Sequence, residues 1–116
     1  MNGPPIEIVA VSPTGRWEVR THAWEVRMSH WIDTPHVYDR QASRVVYVPE
    51  DTTWSLDHAE WVSDSVVQLH LRQYPGGPGM QAIVRIDCTA GTAHCNGRDM
   101  ALAALDDALA RAVASR

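Results

Sequence analysis

The residues with the most chemical potential in this chain are six histidines and two cysteines. His30, Asp33 and His36 follow a His-x2-Asp-x2-His spacing within a polar and aromatic stretch that we expect to be an irregular loop. Imidazole and carboxylate groups bind first-row divalent metals, so a metal site in this loop is one hypothesis. Solvated loop histidines are the more common case. We therefore assign no metal ligand and expect no cofactor.

The two cysteines, Cys88 and Cys95, flank the segment TAGTAH. In an oxidising compartment they could form a disulfide that joins the end of a strand to the start of a helix. In the cytoplasm they would be reduced thiols. A zinc site that includes His94 would offer only three ligands and no Cys-x2-Cys spacing, which is a weak signal. The disulfide and the pair of reduced thiols both stay open from the sequence.

The residue types of a hydrolytic triad occur together at His58, Ser63, Asp64 and Ser65. All four fall within one predicted hairpin, and no strained nucleophile turn accompanies them. The glycine-rich segment YPGGPG has no Lys and no helix after it, so it does not match a phosphate-binding loop. These patterns predict a protein without catalytic activity.

Surface residues are better candidates for function. An aromatic and Arg-containing stretch and a set of carboxylates around residues 51–64 are typical of a contact surface, because aromatic and Arg side chains are enriched at binding hot spots. The alternative interpretation is that a loop Trp belongs to the edge of the core. The predicted partner-binding residues are Trp31, His36, Tyr38, Arg40, Asp51, Asp57, Glu60 and Asp64.

The charge of the chain restricts its partners. It has 116 residues, ten Arg, no Lys and a formal net charge of −4. Nucleic-acid backbones are bound by clustered cations, so we expect no nucleic-acid partner. A protein partner, and a basic one in particular, fits the acidic balance better.

The length is typical of one domain, 1–116. No apolar run is long enough to cross a membrane, and the N-terminus lacks the pattern of a signal peptide. These features predict a cytoplasmic protein that does not bind membranes, with a mature secreted form left open. The absence of Lys and Phe points to a GC-rich coding sequence, as in many bacteria.

Trp54–Arg72 is the strongest structural signal and is predicted to be a β-hairpin. Val67, Leu69 and Leu71 alternate with polar residues, which places three aliphatic side chains on one face of a half-buried strand. Ser63 and Asp64 favour the turn before this strand. The two WEVR segments within 16–28 alternate out of phase, so a bulge or turn near residues 21–23 is expected to keep both Trp side chains inside.

Further alternation predicts strands at 6–11, 42–48 and 80–88 after a flexible lead at 1–5, so the chain is strand-rich from 6 to 88. Leu102, Leu105, Leu109 and Val113 recur at helical spacing and predict one helix over 97–115, with Asn96 as its N-cap. The fold class expected is α+β: an antiparallel meander of about five or six strands with the C-terminal helix packed on one face.

One turn of this chain resembles a turn motif of a known fold. Ser12–Trp17, SPTGRW, resembles the SPDGRW turn that opens strands of β-propeller blades, with Thr14 in the position of the Asp. Propeller closure needs several blades of about 40 residues each. The resemblance therefore implies a turn followed by a meander and not a complete propeller.

Taken together, the sequence leads to two main functional hypotheses, and an enzyme whose site no sequence pattern identifies stays open as a third. The first is a non-catalytic protein-binding domain, in particular a bacterial immunity or inhibitor protein that neutralises a toxin or an enzyme. Small size, acidic charge and the aromatic stretch around Trp31 favour it. The second is a small-ligand or metal-binding module that uses a sheet face and the loop from His30 to His36.

Overall fold

The computed structural model describes residues 6–27, 30–74 and 80–114. These residues form two antiparallel sheets and one C-terminal helix, which confirms the α+β class. The four-stranded sheet has the order β1-β2-β3-β4 and the five-stranded sheet the order β5-β6-β7-β8-β9. The strands are β1 (Ile6–Val11), β2 (Trp17–Arg27), β3 (His30–Asp39), β4 (Arg44–Tyr47), β5 (Trp54–Trp61), β6 (Val66–Gln73), β7 (Gln81–Asp87), β8 (Thr92–Cys95) and β9 (Arg98–Ala101).

The meander is divided between β4 and β5, so the prediction of a single sheet with five or six strands was wrong. Each strand pairs with its sequence neighbours except across the loop at residues 48–53. The sheets are joined directly where the Asp33 N–H donates to Ser55 Oγ at 3.0 Å. The chain therefore builds two layers from consecutive hairpins.

The predicted central hairpin is confirmed. β5 and β6 pair in antiparallel register, and the turn closes with the Val62 N–H bonded to the Val66 carbonyl at 2.9 Å. Val67, Leu69 and Leu71 are at most 1% exposed. Full burial of one such side chain stabilises the fold by about 1.5–3 kcal/mol.

One hydrophobic core connects both sheets and the helix. Its members from the four-stranded sheet lie on one face of β2, β3 and β4, and its members from the five-stranded sheet lie on one face of β5, β6, β7 and β8. We call these faces inner and the opposite faces outer. Core residues include Val19, Val37, Tyr47, Leu69, Val84, Cys95, Leu105 and Leu109.

The helix α1 spans Leu105–Ala114 and follows a 3-10 turn at Leu102–Ala104. The predicted helix over 97–115 therefore starts too early, and residues 115–116 lie outside the described ranges. Asn96 is not an N-cap: it and Gly97 have φ values of 54° and 75° and form the two-residue turn between β8 and β9. None of the described helices is long and apolar enough to span a membrane.

The stretch predicted as a loop around Pro35 is instead β3, which pairs with β2 over its whole length. The pairing is regular from Trp17 to Glu25, so the predicted bulge near residues 21–23 is absent. Trp17 is consequently buried on the inner face, while Trp24 lies on the other face, partly buried, and donates from Nε1 to Thr34 Oγ1 at 3.0 Å.

The turn that resembles a propeller strand opening is ordered by Ser12. Its Oγ accepts from the Trp17 N–H at 3.0 Å, and its carbonyl accepts from the Gly15 N–H at 2.9 Å. Gly15 has a φ of 81°, a conformation that favours glycine. Residues 1–5, predicted as a flexible lead, lie outside the described ranges.

Candidate functional site

The outer face of the four-stranded sheet collects three of the predicted binding residues. Because side chains alternate along β3, His36 and Tyr38 point to this face, and Arg40 continues it just beyond the strand. Trp31 is 55% exposed, but it lies on the opposite face near the start of β3. Trp31 therefore does not share a face with His36 and Tyr38, although the sequence predicted one binding surface for all three.

Strand register adds three residues of β2 to this face. Glu18 is paired with Tyr38, Arg20 with His36, and His22 with Thr34. Their charges and rings lie beside those contributed by β3, although 12 or more residues separate the partners along the chain. We call Glu18, Arg20, His22, His36, Tyr38 and Arg40 the polar centre.

Glu18 is the anchor of the polar centre. Its side chain is 1% exposed, and it accepts a hydrogen bond from Arg20 Nε. Arg40 Nε lies 3.4 Å from the other carboxylate oxygen. A buried carboxylate needs such partners, because leaving it unpaired costs several kcal/mol. The two guanidinium groups are thus held in place on the outer face.

Aromatic contacts fix the geometry further. The Arg20 guanidinium carbon lies 3.7 Å from the centroid of the Tyr38 ring, a cation–π contact. The rings of His22 and His36 meet edge to face with centroids 6.1 Å apart. Burial lowers the pKa of His36, and the neighbouring charges of His22 and Arg20 lower it further. His36 is therefore a neutral imidazole at neutral pH, and the Glu18, Arg20 and Arg40 charges sum to +1.

Apolar side chains flank the polar centre on both edge strands. Register places Val11 beside Glu18, Ile8 beside Arg20 and Ile6 beside His22 on the β1 side, and Val45 beside Tyr38 on the β4 side. All four are between 44% and 64% exposed. Exposed apolar clusters rimmed by polar groups are typical of contact surfaces.

The four predicted acidic residues do not form one face. Asp51 accepts from Thr53 and Gln73, and Asp64 accepts from Thr14. Asp57 forms an ion pair with Arg72 at 3.1 Å, and Glu60 lies 3.8 Å from His58. Of these four, only Asp57 and Glu60 lie on the same strand. Their role in partner binding remains a prediction.

The hypothetical metal set is not assembled. Asp33 and His36 lie on opposite faces of β3, and the His30 side chain is outside what the structure describes. Across residues 6–27, 30–74 and 80–114, no three His, Cys, Asp or Glu side chains converge closely enough to hold a metal ion.

The cysteine thiols are separated as well. Cys95 is paired with Val84, which places Cys88 four residues farther along β7, or roughly 13 Å at strand spacing. A disulfide requires Cα atoms within about 7 Å. The two cysteines form no disulfide; Cys95 is buried and Cys88 is partly buried.

Comparison of the chain with protein-family models, with curated proteins and with solved structures finds no match. Function must therefore be argued from the described geometry.

Sequence reasoning missed Glu18, Arg20 and His22 as site residues. Their signal was present, since strict alternation along β2 places all three on one face. What the sequence lacked was the partner strand. Pro35 and the polar residues around it predicted a loop, and without β3 there was no second row of side chains to complete the site.

Proposed function

We propose that this protein is a non-catalytic protein-binding domain that docks a partner on the outer face of its four-stranded sheet. One observation supports this most directly: exposed apolar side chains of β1 and β4 flank a polar centre whose Arg and Tyr side chains are already fixed. Interfaces commonly combine an apolar area with a few Arg, Tyr or Trp side chains that dominate the binding energy.

Preorganisation is what makes this face suited to binding. Immobilising a long side chain costs about 0.5–1.5 kcal/mol on association. In this protein Arg20 is already held by Glu18 and Tyr38, and Arg40 by Glu18 and the Gly15 carbonyl at 3.1 Å. A partner that contacts them loses less conformational entropy than it would on a mobile surface.

Charge acts at two ranges. The net charge of −4 attracts a basic partner from a distance. At the contact itself, Glu18, Arg20 and Arg40 together carry a net charge of +1, and the two guanidinium groups are offered to a carboxylate of that partner. The partner proposed is thus basic overall, with an acidic and apolar patch where it touches Ile8, Arg20 and Tyr38.

The finer form of the proposal is an inhibitor or immunity protein that neutralises a toxin or enzyme, with bacteria as the expected source. A chain of 116 residues with an acidic balance and a rigid contact face has the properties needed to dock on a toxin or enzyme that is basic overall and block it. A metal-binding function is not proposed, since Asp33 and His36 lie on opposite faces of β3.

Two isoleucines on separate faces allow a matched test. Ile8 on the proposed face is 54% exposed, and Ile83 on the outer face of the five-stranded sheet is 55% exposed. Wild type, Ile8→Glu and Ile83→Glu would be used to capture partners from cells of the source organism. Any protein retained would be purified, and its dissociation constant measured against each variant by calorimetry.

We expect one-to-one binding that is unchanged for Ile83→Glu and at least about tenfold weaker for Ile8→Glu, because a charge is buried without a partner. Val45→Glu should weaken binding similarly from the opposite edge. Equal affinity for wild type, Ile8→Glu and Val45→Glu would overturn the proposed face. If the bound partner is an enzyme that keeps full activity in the complex, the inhibitor form is wrong.

A further inference from the structure

A cleft of about 390 Å³ lies between the C-terminal helix and the last hairpin of the five-stranded sheet. Its described lining comes from Cys95, the turn residue Asn96, β9 and the helical segment from Ala104 to Ala112. Ligand pockets range from roughly 300 to 1,000 Å³, so the cleft has room for one small molecule. None of these lining residues belongs to the four-stranded sheet, which carries the polar centre.

The most buried part of the cleft is apolar. Cys95 and Ala112 are 1% and 4% exposed, and Met100 and Ala108 are partly buried and pack against the hydrophobic core. Close-packed cores leave few spaces larger than a water molecule. At this cleft the helix contributes Ala side chains, which are too short to fill the space. An apolar group of a ligand would be removed from water on entering it.

Two unpaired arginines lie at the exposed part of the cleft. Arg98 of β9 and Arg111 of α1 are exposed, and neither side chain forms an ion pair or a hydrogen bond within the described ranges. Four other described arginines are each paired with a carboxylate. A guanidinium group has five N–H donors and can hold a carboxylate by two parallel hydrogen bonds. Both arginines therefore keep their donors available for a carboxylate that enters the cleft.

Asp107 provides an unpaired carboxylate in the same cleft. It lies four residues before Arg111 on α1, a spacing at which acidic and basic side chains commonly pair. No ion pair forms between them, and the Asp107 carboxylate makes no hydrogen bond with any described residue. The other carboxylate of the cleft, that of Asp99, lies 2.7 Å from His94 Nδ1. Unpaired charges of both signs therefore lie beside an apolar surface, and the fold itself does not join them.

A ligand that matches these features needs an anionic, a cationic and an apolar group close together. The two Arg and two Asp side chains that line the cleft sum to zero charge, which favours a ligand without net charge. We propose that this cleft binds a free α-amino acid with an apolar side chain. Arg98 and Arg111 bind the carboxylate of that ligand, and Asp107 binds its ammonium group. Met100 and Ala108 contact its side chain.

The proposal goes beyond the docking of a partner and is tested without one. Leucine would be titrated into the isotope-labelled protein and followed by amide chemical shifts. Leucinamide lacks the carboxylate, Nα-acetyl-leucine lacks the ammonium group, and glycine lacks the apolar side chain. We expect saturable shifts at Met100 and Asp107 with millimolar leucine. Each of the three analogues should bind at least about tenfold more weakly, because it loses either a charged hydrogen-bonding group or the buried apolar group.

Variants assign each charge of the ligand to its partner. Arg111→Gln should weaken leucine binding at least about tenfold and should not weaken leucinamide, which has no carboxylate to lose. Asp107→Asn should weaken leucine binding and should not weaken Nα-acetyl-leucine. Arg44→Gln is the matched control, because Arg44 is also exposed and forms no ion pair with a described residue. It lies in β4, so this variant should bind leucine as wild type does.

Two alanines test the space itself. Ala104 is exposed and lines the cleft, so Ala104→Leu should occupy it and weaken leucine binding at least about tenfold. Ala110 is equally exposed on α1 but does not line the cleft, and Ala110→Leu should bind as wild type does. Both positions are on the surface, so both variants should unfold thermally at nearly the temperature of wild type.

Several results would overturn the proposal. They are an absence of saturable shifts at millimolar leucine, glycine binding as tightly as leucine, and an equal loss of leucine and leucinamide binding in Arg111→Gln. Tighter binding of free aspartate or free lysine than of leucine would also overturn it, since neither has a wholly apolar side chain. None of these results would affect partner binding on the outer face of the four-stranded sheet.

Discussion

Thr14 donates both its backbone N–H and its hydroxyl to the carboxylate of Asp64, each at 2.7 Å. Thr14 lies in the turn between β1 and β2, and Asp64 in the turn between β5 and β6. The contact therefore fastens a turn of one sheet to a turn of the other over a separation of 50 residues. The position where the propeller-like turn would carry its own Asp is thus served by an Asp from elsewhere in the chain.

We expect Asp64→Asn to lower the midpoint of thermal unfolding at neutral pH. The Thr14 hydroxyl and N–H hold the pKa of Asp64 below its ordinary value, so the ionised carboxylate is the form that the fold stabilises. This contribution is present above the unfolded-state pKa of about 3.9 and is lost as the pH falls through the folded-state value.

The measurement is thermal unfolding of wild type and Asp64→Asn at neutral and acidic pH. The two proteins should differ at neutral pH and converge in acid. Thr14→Ser keeps both donors and should behave as wild type. A constant difference at every pH would show that the charge of Asp64 is not what the turn recognises.

Glu18→Gln tests whether the polar centre also stabilises the fold. Removing the charge leaves Arg20 and Arg40 without their common partner, and we expect the free energy of unfolding to fall by about 1–3 kcal/mol. Glu60, whose side chain is 57% exposed against 1% for Glu18, is the control. Glu60→Gln should change the stability by less than about 0.5 kcal/mol. Equal losses in chemical denaturation would contradict the anchoring role of Glu18.

The alternation of apolar and polar residues predicted correctly those strands that bury one face against the core and leave the other face outside it. Val67, Leu69 and Leu71 alternate with polar residues because one face of β6 meets the core and the other does not. Pro35 misled the prediction of β3, since proline is excluded from central ladders. It is tolerated here because β4 pairs with β3 only from Val37 onward, which leaves position 35 without a β4 partner.

Other features depend on contacts that no local pattern records. The loop after β4 has the composition of a hairpin turn, yet it carries the chain into the second sheet, where Ser55 accepts from the Asp33 N–H. The polar centre similarly requires the register of β2 on β3. The face of Arg20 could be derived from alternation, but its proximity to Tyr38 and His36 could not.

The start of the helix was misplaced because Asn96-Gly97 was interpreted as a cap and not as a turn. Asn-Gly is a preferred pair for two-residue hairpins, which need positive φ at both positions. Gly97→Ala should therefore destabilise the protein by about 1 kcal/mol or more, since Ala at a φ of 75° is strained. Asn96→Gly should be tolerated. The measurement is urea unfolding of both variants. A Gly97→Ala protein as stable as wild type would contradict the positive φ assigned to position 97.

The thiols should be inert in the folded protein. Burial raises the pKa of Cys88 to about 12, and the Asp87 carboxylate adds to the shift, while Cys95 is 1% exposed. Since the thiolate is the reactive form, we expect neither residue to react with Ellman's reagent at mildly alkaline pH, and both to react in denaturant. Ala90→Cys places a thiol on the exposed turn after β7 and should react at once. Rapid modification of wild type, or a mass two hydrogens lower under oxidising conditions, would mean that β7 and β8 separate far more readily than their paired register implies.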